Sequence, residues 1–291
     1  MTRIYCVGEV LVDIIGEENA SLKSNQKFTK HPGGAPANVA VAASRMGADV
    51  HMVSTVGDDE FGEFLIEKLE EEDINTSWIR KTDLDTTLAF ASLDQESKPH
   101  FKFYRGADEK ISREQLEIQP GKDDIVHLGS LPLTDPSTAR NIVRLIEQTE
   151  AAVSFDPNIR EDILDEAYMH RLEKVVKRAD IMILADDELQ YFEEIDLGEH
   201  LSELIVTKGS QGAQLYGDEN ISVEAPEVNV VDTTGAGDAL AGAFLAFRDQ
   251  GPRKALEKAV KAASLSTTSE GAIPSLPYKR GLTNKSLLEV N

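Results

Sequence analysis

The run Asp232-Thr233-Thr234-Gly235-Ala236-Gly237-Asp238-Ala239-Leu240-Ala241-Gly242-Ala243-Phe244 sets a carboxylate just past a glycine-flanked turn. From Ala236 onward the chain runs through Ala, Leu and Phe, with no breaker but Gly242 before Gly251, so a helix is expected to open at the turn. The first turn of a helix carries N–H groups without carbonyl partners and a partial positive charge. Where glycines clear the approach, an anion can rest on those groups. Asp238 falls inside that turn. A carboxylate beside an anion hole repels a phosphate that is merely held. The pairing has a use if Asp238 takes the proton of a hydroxyl that attacks phosphorus while the N–H groups hold the developing charge. Read alone, the four residues favour a plainer role, an acid at a helix start offsetting the dipole.

Composition narrows the chemistry further. The 291 residues suffice for one large α/β domain, and 41% of them are apolar. No apolar run approaches the ~20 residues that span a membrane. The start, Met1-Thr2-Arg3-Ile4, leads straight into a strand-like run and lacks the regions of a signal peptide. The one cysteine, Cys6, lies in that apolar run and reads as core. A reducing cytoplasm is the expected setting. The net charge of −22, from 30 Lys and Arg against 52 Asp and Glu, argues against nucleic acid and anionic membranes as partners. It fits either a salt-rich setting or a highly soluble mesophilic protein. Such a surface draws no nucleotide from afar, so local groups and a cation must hold one. There is no Gly-x-x-x-x-Gly-Lys-Ser/Thr run, no histidine pair at metal spacing, no supported Ser-His-Asp arrangement and no internal repeat.

A second glycine-rich stretch, Gly33-Gly34-Ala35-Pro36-Ala37-Asn38-Val39-Ala40, stands near the other end, followed by Gly47 and Gly57. In order and separation the two stretches resemble the paired motifs of the ribokinase-like (PfkB) carbohydrate kinases, and the likeness runs from residue 8 to about 277. It implies phosphoryl transfer from ATP to a sugar hydroxyl. Asp238 is then the base, the N–H groups of Gly235, Ala236 and Gly237 stabilise charge, and Mg2+ bridges the nucleotide phosphates. The fold implied is a doubly wound α/β domain over 1–291. A mostly parallel central sheet has helices on both faces, and a small β lid is built from insertions at about 14–32 and 86–105.

The resemblance also distributes the binding residues. Asp13 and Asn38 face neighbouring sugar hydroxyls, and Gly33 and Gly34 let the backbone approach and hinge. Asn158 and Arg160, in Asp156-Pro157-Asn158-Ile159-Arg160, stand near the sugar or the transferring phosphate. Glu188 is a candidate for orienting water around Mg2+, although Ala185 stands where the family commonly has Asn. Thr207, Lys208, Gly209 and Gly212 adjoin the nucleotide phosphates and ribose, and by spacing alone they would be a plain tight turn. Ala262, Ala263 and the neighbourhood of Thr267 line the adenine pocket. Asp232, Thr234, Gly271 and Ser275 could hold K+. Phe101 and Phe103 close over the sugar or pack a lid-to-lid homodimer.

The elements that must position these groups follow from periodicity. Strands are expected at 3–8, 50–56, 125–128, 151–155, 181–184 and 204–207, and helices at 37–46, 60–73 and 254–268. A hairpin is expected from 86–93 and 100–104 around a turn at 94–99, and residues beyond 278 read as a tail. Strands and helices alternate after 123, the pattern of a parallel sheet covered on both faces. For the sugar, the motif wording, with Phe103-Tyr104-Arg105-Gly106 and Gly271-Ala272-Ile273-Pro274-Ser275-Leu276-Pro277, is similar to bacterial fructokinases and points to D-fructose. The runner-up is 2-keto-3-deoxygluconate, whose carboxylate would want Arg105 in the pocket. A non-catalytic sugar- or nucleotide-binding regulator is the reading from another class, and an intact Asp238 weighs against it.

Overall fold

A computed structural model describes residues 2–17, 20–93, 99–197 and 200–283. In chain order, β1 (Arg3–Val7) leads to β2 (Leu11–Gly16), β3 (Phe28–Gly33), helix α1 (Ala35–Arg45), β4 (Asp49–Gly57), α2 (Glu60–Glu70) and β5 (Asn75–Thr82). After β6 (Leu88–Leu93) and β7 (Pro99–Tyr104) come β8 (Ile125–Leu128), α3 (Pro136–Gln148), β9 (Ala152–Phe155), α4 (Glu166–Val176), β10 (Ile181–Ala185) and β11 (Glu203–Thr207). Then follow β12 (Ala213–Tyr216), β13 (Ile221–Val223), α5 (Ala236–Phe247), α6 (Pro252–Ser266) and the single turn α7 (Ala272–Ser275).

Nine strands form the main sheet in the order β13-β12-β11-β10-β9-β8-β1-β4-β5. Those from β11 to β5 are parallel, and β12 and β13 add an antiparallel edge. Side chains alternate across a strand, so a parallel strand must be apolar on both faces to be covered on both. In β1, Ile4 and Cys6 enter one core layer with α1, α5 and α6. Tyr5 and Val7 enter the other, with α3 and α4. Burial pushes the Cys6 thiol up, so it stays protonated and serves as core.

A second, four-stranded sheet has the order β3-β2-β6-β7. Strand β2 is antiparallel to β3 and parallel to β6. Asp13 lies in the middle of β2 and belongs to this small sheet, which begins before residue 14. The register puts Asp13, Ala89 and Phe103 on one face. Phe28, Phe90 and Tyr104 meet edge-on with ring centroids 5.9 and 5.6 Å apart on the other.

Several boundaries differ from expectation. Helix α2 stops at Glu70, and Asp73 takes a left-handed φ of 57°. Carboxylates at a helix C-terminus oppose the dipole, so the acidic run Glu70 to Asp73 turns the chain out. Strand β5 carries polar residues on its exposed face and gave no apolar run to find it by. Beyond 278, Lys279–Thr283 forms a short helical turn that buries Leu282. The rest of the expected tail, the turn residues 94–98 and the Phe101 side chain lie outside the described residues. Among the described residues no helix is long and apolar enough to cross a membrane.

Candidate active site

Helix α5 opens on Gly235, which has a left-handed φ of 78°. Any Cβ there would lie 3.1 Å from Ala272 of α7, so only glycine suits the turn. Gly237 faces open space, with nothing within 4 Å of where its Cβ would be. The N–H groups of this first turn therefore have a clear approach.

Asp238 sits one residue further and is buried. Asn38 Nδ2, on α1, donates to Asp238 Oδ2 at 2.8 Å. The bond requires α1 and α5 to pack closely. Gly242 allows it: a Cβ there would lie 2.5 Å from Ala42 Cβ and 2.7 Å from the Val39 carbonyl oxygen. Asn38 Oδ1 is buried without a protein partner and can accept a further bond. Burial pushes the Asp238 carboxyl up to about 6, against the Asn38 bond and the Arg160 charge. The group thus changes protonation near neutrality, where a general base works best.

Asp13 lies across the cleft on β2. Close packing pushes it up to about 6, with Arg160 opposing and Asp238 adding to the shift. Its carboxylate lies against the Gly33 backbone, where any side chain would collide with it. Gly34 has a φ of 105° and caps α1. Arg160 lies 4.6 Å over the Phe103 ring, and its Nη1 is buried without a hydrogen-bond partner. Asn158 has a left-handed φ of 39°, fixed by a bond from its N–H to Asp156 Oδ1 at 3.1 Å. Burial, then Glu188 and Asp238, push Asp156 well above the usual carboxylate range.

Asp156, Asn158, Glu188, Gly235 and Asp238 line a cavity of about 320 Å³. A neighbouring cavity of about 610 Å³ is lined by Thr207, Gly209, Gly212, Ala263 and Thr267. The two share Thr207, Thr233, Ala236 and Gly237, so they meet at the first turn of α5. Eleven of the expected residues line these two joined cavities, whereas Asp13, Gly33, Gly34, Asn38 and Arg160 line neither.

Other residues depart from expectation. The Lys208 ammonium donates to Gln214 Oε1 at 2.8 Å across the β11–β12 hairpin, and Lys208 does not line either cavity. Ala262 is wholly buried core, one helical position from the wall that Ala263 forms. Arg105 is clamped by Asp108, with Nη2 2.6 Å from Oδ2, and Asp108 is fully buried. Its charge already has a protein partner. Glu188 has both oxygens occupied: Oε1 accepts from Ile159 N at 2.5 Å and Oε2 from Ala185 N at 2.8 Å. It ties the loop after β9 to the loop after β10. Asp232 Oδ1 accepts from Thr234 N and Oγ1 at 2.9 and 2.7 Å, and Oδ2 accepts from Gly271 N at 2.8 Å. These bonds outweigh burial and hold its carboxyl below the usual range. The Ser275 hydroxyl donates to the Ala272 carbonyl at 2.8 Å.

Three features escaped sequence reasoning. Residues 225–230, with Leu240, Val260 and Ser264, complete the larger cavity. Glu9 is buried at the exit of β1, where its Oε1 accepts from Ala35 N at 3.2 Å and burial pushes it up to about 7. A charged residue directly after an apolar strand was the available signal. Phe103, stacked under Arg160, ties the small sheet to the loop after β9.

With this geometry in hand, likeness to known proteins can be weighed. The family model described as "pfkB family carbohydrate kinase" matches residues 1–279. Fructokinase-1 of Oryza sativa subsp. japonica is 34% identical over 304 residues, covering 94% of each chain. A sugar kinase of Pyrococcus horikoshii solved in complex with ATP is 34% identical, with a TM-score of 0.88 over 98% of both chains. The fructokinase of Vibrio cholerae O395 solved with fructose, ADP and calcium is 27% identical, with a TM-score of 0.83 over 99% of both chains. The family model spans nearly the whole chain and the fold is shared with these solved kinases, and the chain belongs to the pfkB family of ATP-dependent carbohydrate kinases.

Proposed function

We propose that the sugar is D-fructose and the product D-fructose 6-phosphate. One observation carries the reading: the buried Asp238 carboxyl, held by Asn38 and pushed up to about 6, lines the smaller cavity at the first turn of α5, where the two cavities meet. The O6 hydroxyl attacks the γ-phosphorus of ATP and passes its proton to Asp238 as the bond to the β-phosphate oxygen breaks, releasing ADP. The N–H groups of Gly235, Ala236 and Gly237 hold the charge on the transferring group. Asp13, the Asn38 carbonyl and the backbone at Gly33 and Gly34 hold the hydroxyls. The free Nη1 of Arg160 is available to an oxygen of the sugar or the phosphoryl group.

A neutral sugar suits this cleft better than a keto acid. Arg105 is neutralised by Asp108. Asp13 and Asp238 add negative charge that a substrate carboxylate would have to meet. Mg2+ would arrive with the nucleotide, whose phosphate oxygens it favours. Glu188, whose oxygens already hold Ile159 and Ala185, would act on that ion only by placing the two loops it ties, and the ion would neutralise the nucleotide phosphates. Asp232, Thr234, Gly271 and Ser275 form an oxygen-rich clip suited to K+ beside the turn.

The small sheet would act as a lid hinged at Gly33 and Gly34, and its exposed Phe28 and Tyr104 supply an apolar face for a homodimer. The protonated, buried Cys6 suits a reducing cytoplasm. A panel of sugars and 2-keto-3-deoxygluconate with MgATP tests the assignment, on wild type and Arg105→Ala. A preference for the keto acid that disappears in the variant would overturn it.

A further inference from the structure

Arg45 closes helix α1, seven residues and two turns beyond Asn38, on the same face. Arginine in a last helical turn ordinarily extends into water. This side chain is only 8% exposed. Nε and Nη2 donate to Glu72 at 2.8 and 2.5 Å, and Nη1 donates to the carbonyls of Ile273 and Leu276 at 2.8 and 2.5 Å. The Tyr278 ring lies 4.6 Å from the guanidinium carbon. Four donor contacts thus converge from one rigid fork, which an ammonium cannot reproduce.

The two carbonyls belong to the segment that backs the first turn of α5. Ala272 seats Gly235, leaving no room for a side chain. Gly271 N–H donates to Asp232, which in turn fixes Thr234. We propose that Arg45 is a positioning residue for phosphoryl transfer: through Ile273 and Leu276 it holds residues 271–276 against the Gly235–Gly237 turn. Helix α1 then aligns both halves of the reacting site, the base through Asn38 and the N–H groups through Arg45. The inference rests on reading Asp238 and the turn as the reacting end of the site. That reading fails on Asp238→Asn and this one on Arg45→Lys, so the two failures are distinguishable.

A purely structural Arg45 would act on turnover only through stability, by all of its contacts together. Two variants of the full chain separate the roles, each assayed with the sugar best accepted by wild type and with MgATP, below its measured Tm. Arg45→Lys keeps the charge but cannot span Glu72 and both carbonyls. Glu72→Gln removes the ion pair and leaves the carbonyl contacts. Displacing reacting groups by a fraction of an ångström to one ångström is costly, so kcat of Arg45→Lys should fall on the order of 10- to 100-fold, with both KM values within about three-fold. Glu72→Gln should keep kcat within about two-fold even where its Tm drops as far. Methylguanidinium added to Arg45→Ala should restore part of kcat. If Arg45→Lys does not fold, Arg45→Gln replaces it in the same comparison. Equal kcat losses in the Arg45 and Glu72 variants at matched Tm would overturn the proposal. So would an Arg45→Lys turnover within about two-fold of wild type.

Discussion

Asn38→Ala removes the bond that reaches the Asp238 carboxylate at 2.8 Å. A hydrogen bond to a charged group is worth ~1.5–3 kcal/mol, and leaving a buried carboxylate without it penalises the ionised form. At ~1.36 kcal/mol per pKa unit, the loss should raise the Asp238 pKa by about 1–2 units. The carboxyl then moves from about 6 to a value near or above neutrality. A general base acts when ionised, so activity is lost as pH falls through that pKa. At about pH 7 the ionised fraction should drop from about nine-tenths to between about a half and a tenth, and most of it should return by about pH 9. The measurement is kcat against pH at saturating sugar and MgATP. If Asn38 also faces the sugar, as proposed, saturation confines that contact to KM, leaving the position of the acid limb to report on the base. An acid limb that stays in place, or moves to lower pH, refutes the reasoning.

Three further outcomes are expected. Asp238→Asn should lower kcat by ~10²–10⁴ while calorimetric binding of ATP and sugar stays nearly intact, and turnover within a few-fold of wild type would remove Asp238 as the base. Gly242→Ala would force a methyl into the 2.5 Å gap beside Ala42. Overpacking of this kind costs ~1–3 kcal/mol, so Tm and kcat should fall together, and an unchanged Tm would contradict the close helix contact. Glu9, Asp13 and Asp238 carry raised values of about 7, 6 and 6. Their unfolded values lie near about 4, so between about pH 4 and 7 the folded chain binds more protons than the unfolded one and stability falls as pH rises. The ligand-free protein should therefore melt higher at about pH 5.5 than at about pH 8, and Glu9→Gln should shrink the difference; a Tm that climbs with pH would show that other groups dominate.

What could be read from sequence was what short-range pattern encodes. The turn from Thr233 to Gly237 and the acid after it were legible as a local helix start, and only the pairing with residues 33–40 gave Asp238 a catalytic reading. The buried strands were legible because both faces of each must be apolar. The Asn38–Asp238 bond joins residues 200 apart, and no local pattern announces it. Gly242 hinted at a close approach without saying to what. The resemblance put Lys208 beside the nucleotide phosphates, where spacing alone gave a plain tight turn, and Gln214, six residues on, claims its ammonium across the hairpin. Arg105 likewise meets Asp108, which only the short helical turn after Gly106 brings into reach. The cavity wall at 225–230 is irregular chain with no period to detect.

The close packing of α1 against α5 has a consequence for how the protein is made. Residues 36–43 of α1 are all buried, and Ala42 and Val39 lie directly against Gly242 of α5. A ribosome adding ~5–20 residues per second needs about 10–40 s to cover the 200 residues from Asn38 to Asp238. Through that interval α1 presents Val39, Val41 and a run of alanines without the helix that covers them. The growing chain is then a sticky intermediate that holds Asp13 and Asn38 but not yet Asp238. A product truncated before α5 would leave that face of α1 uncovered and bury less apolar surface.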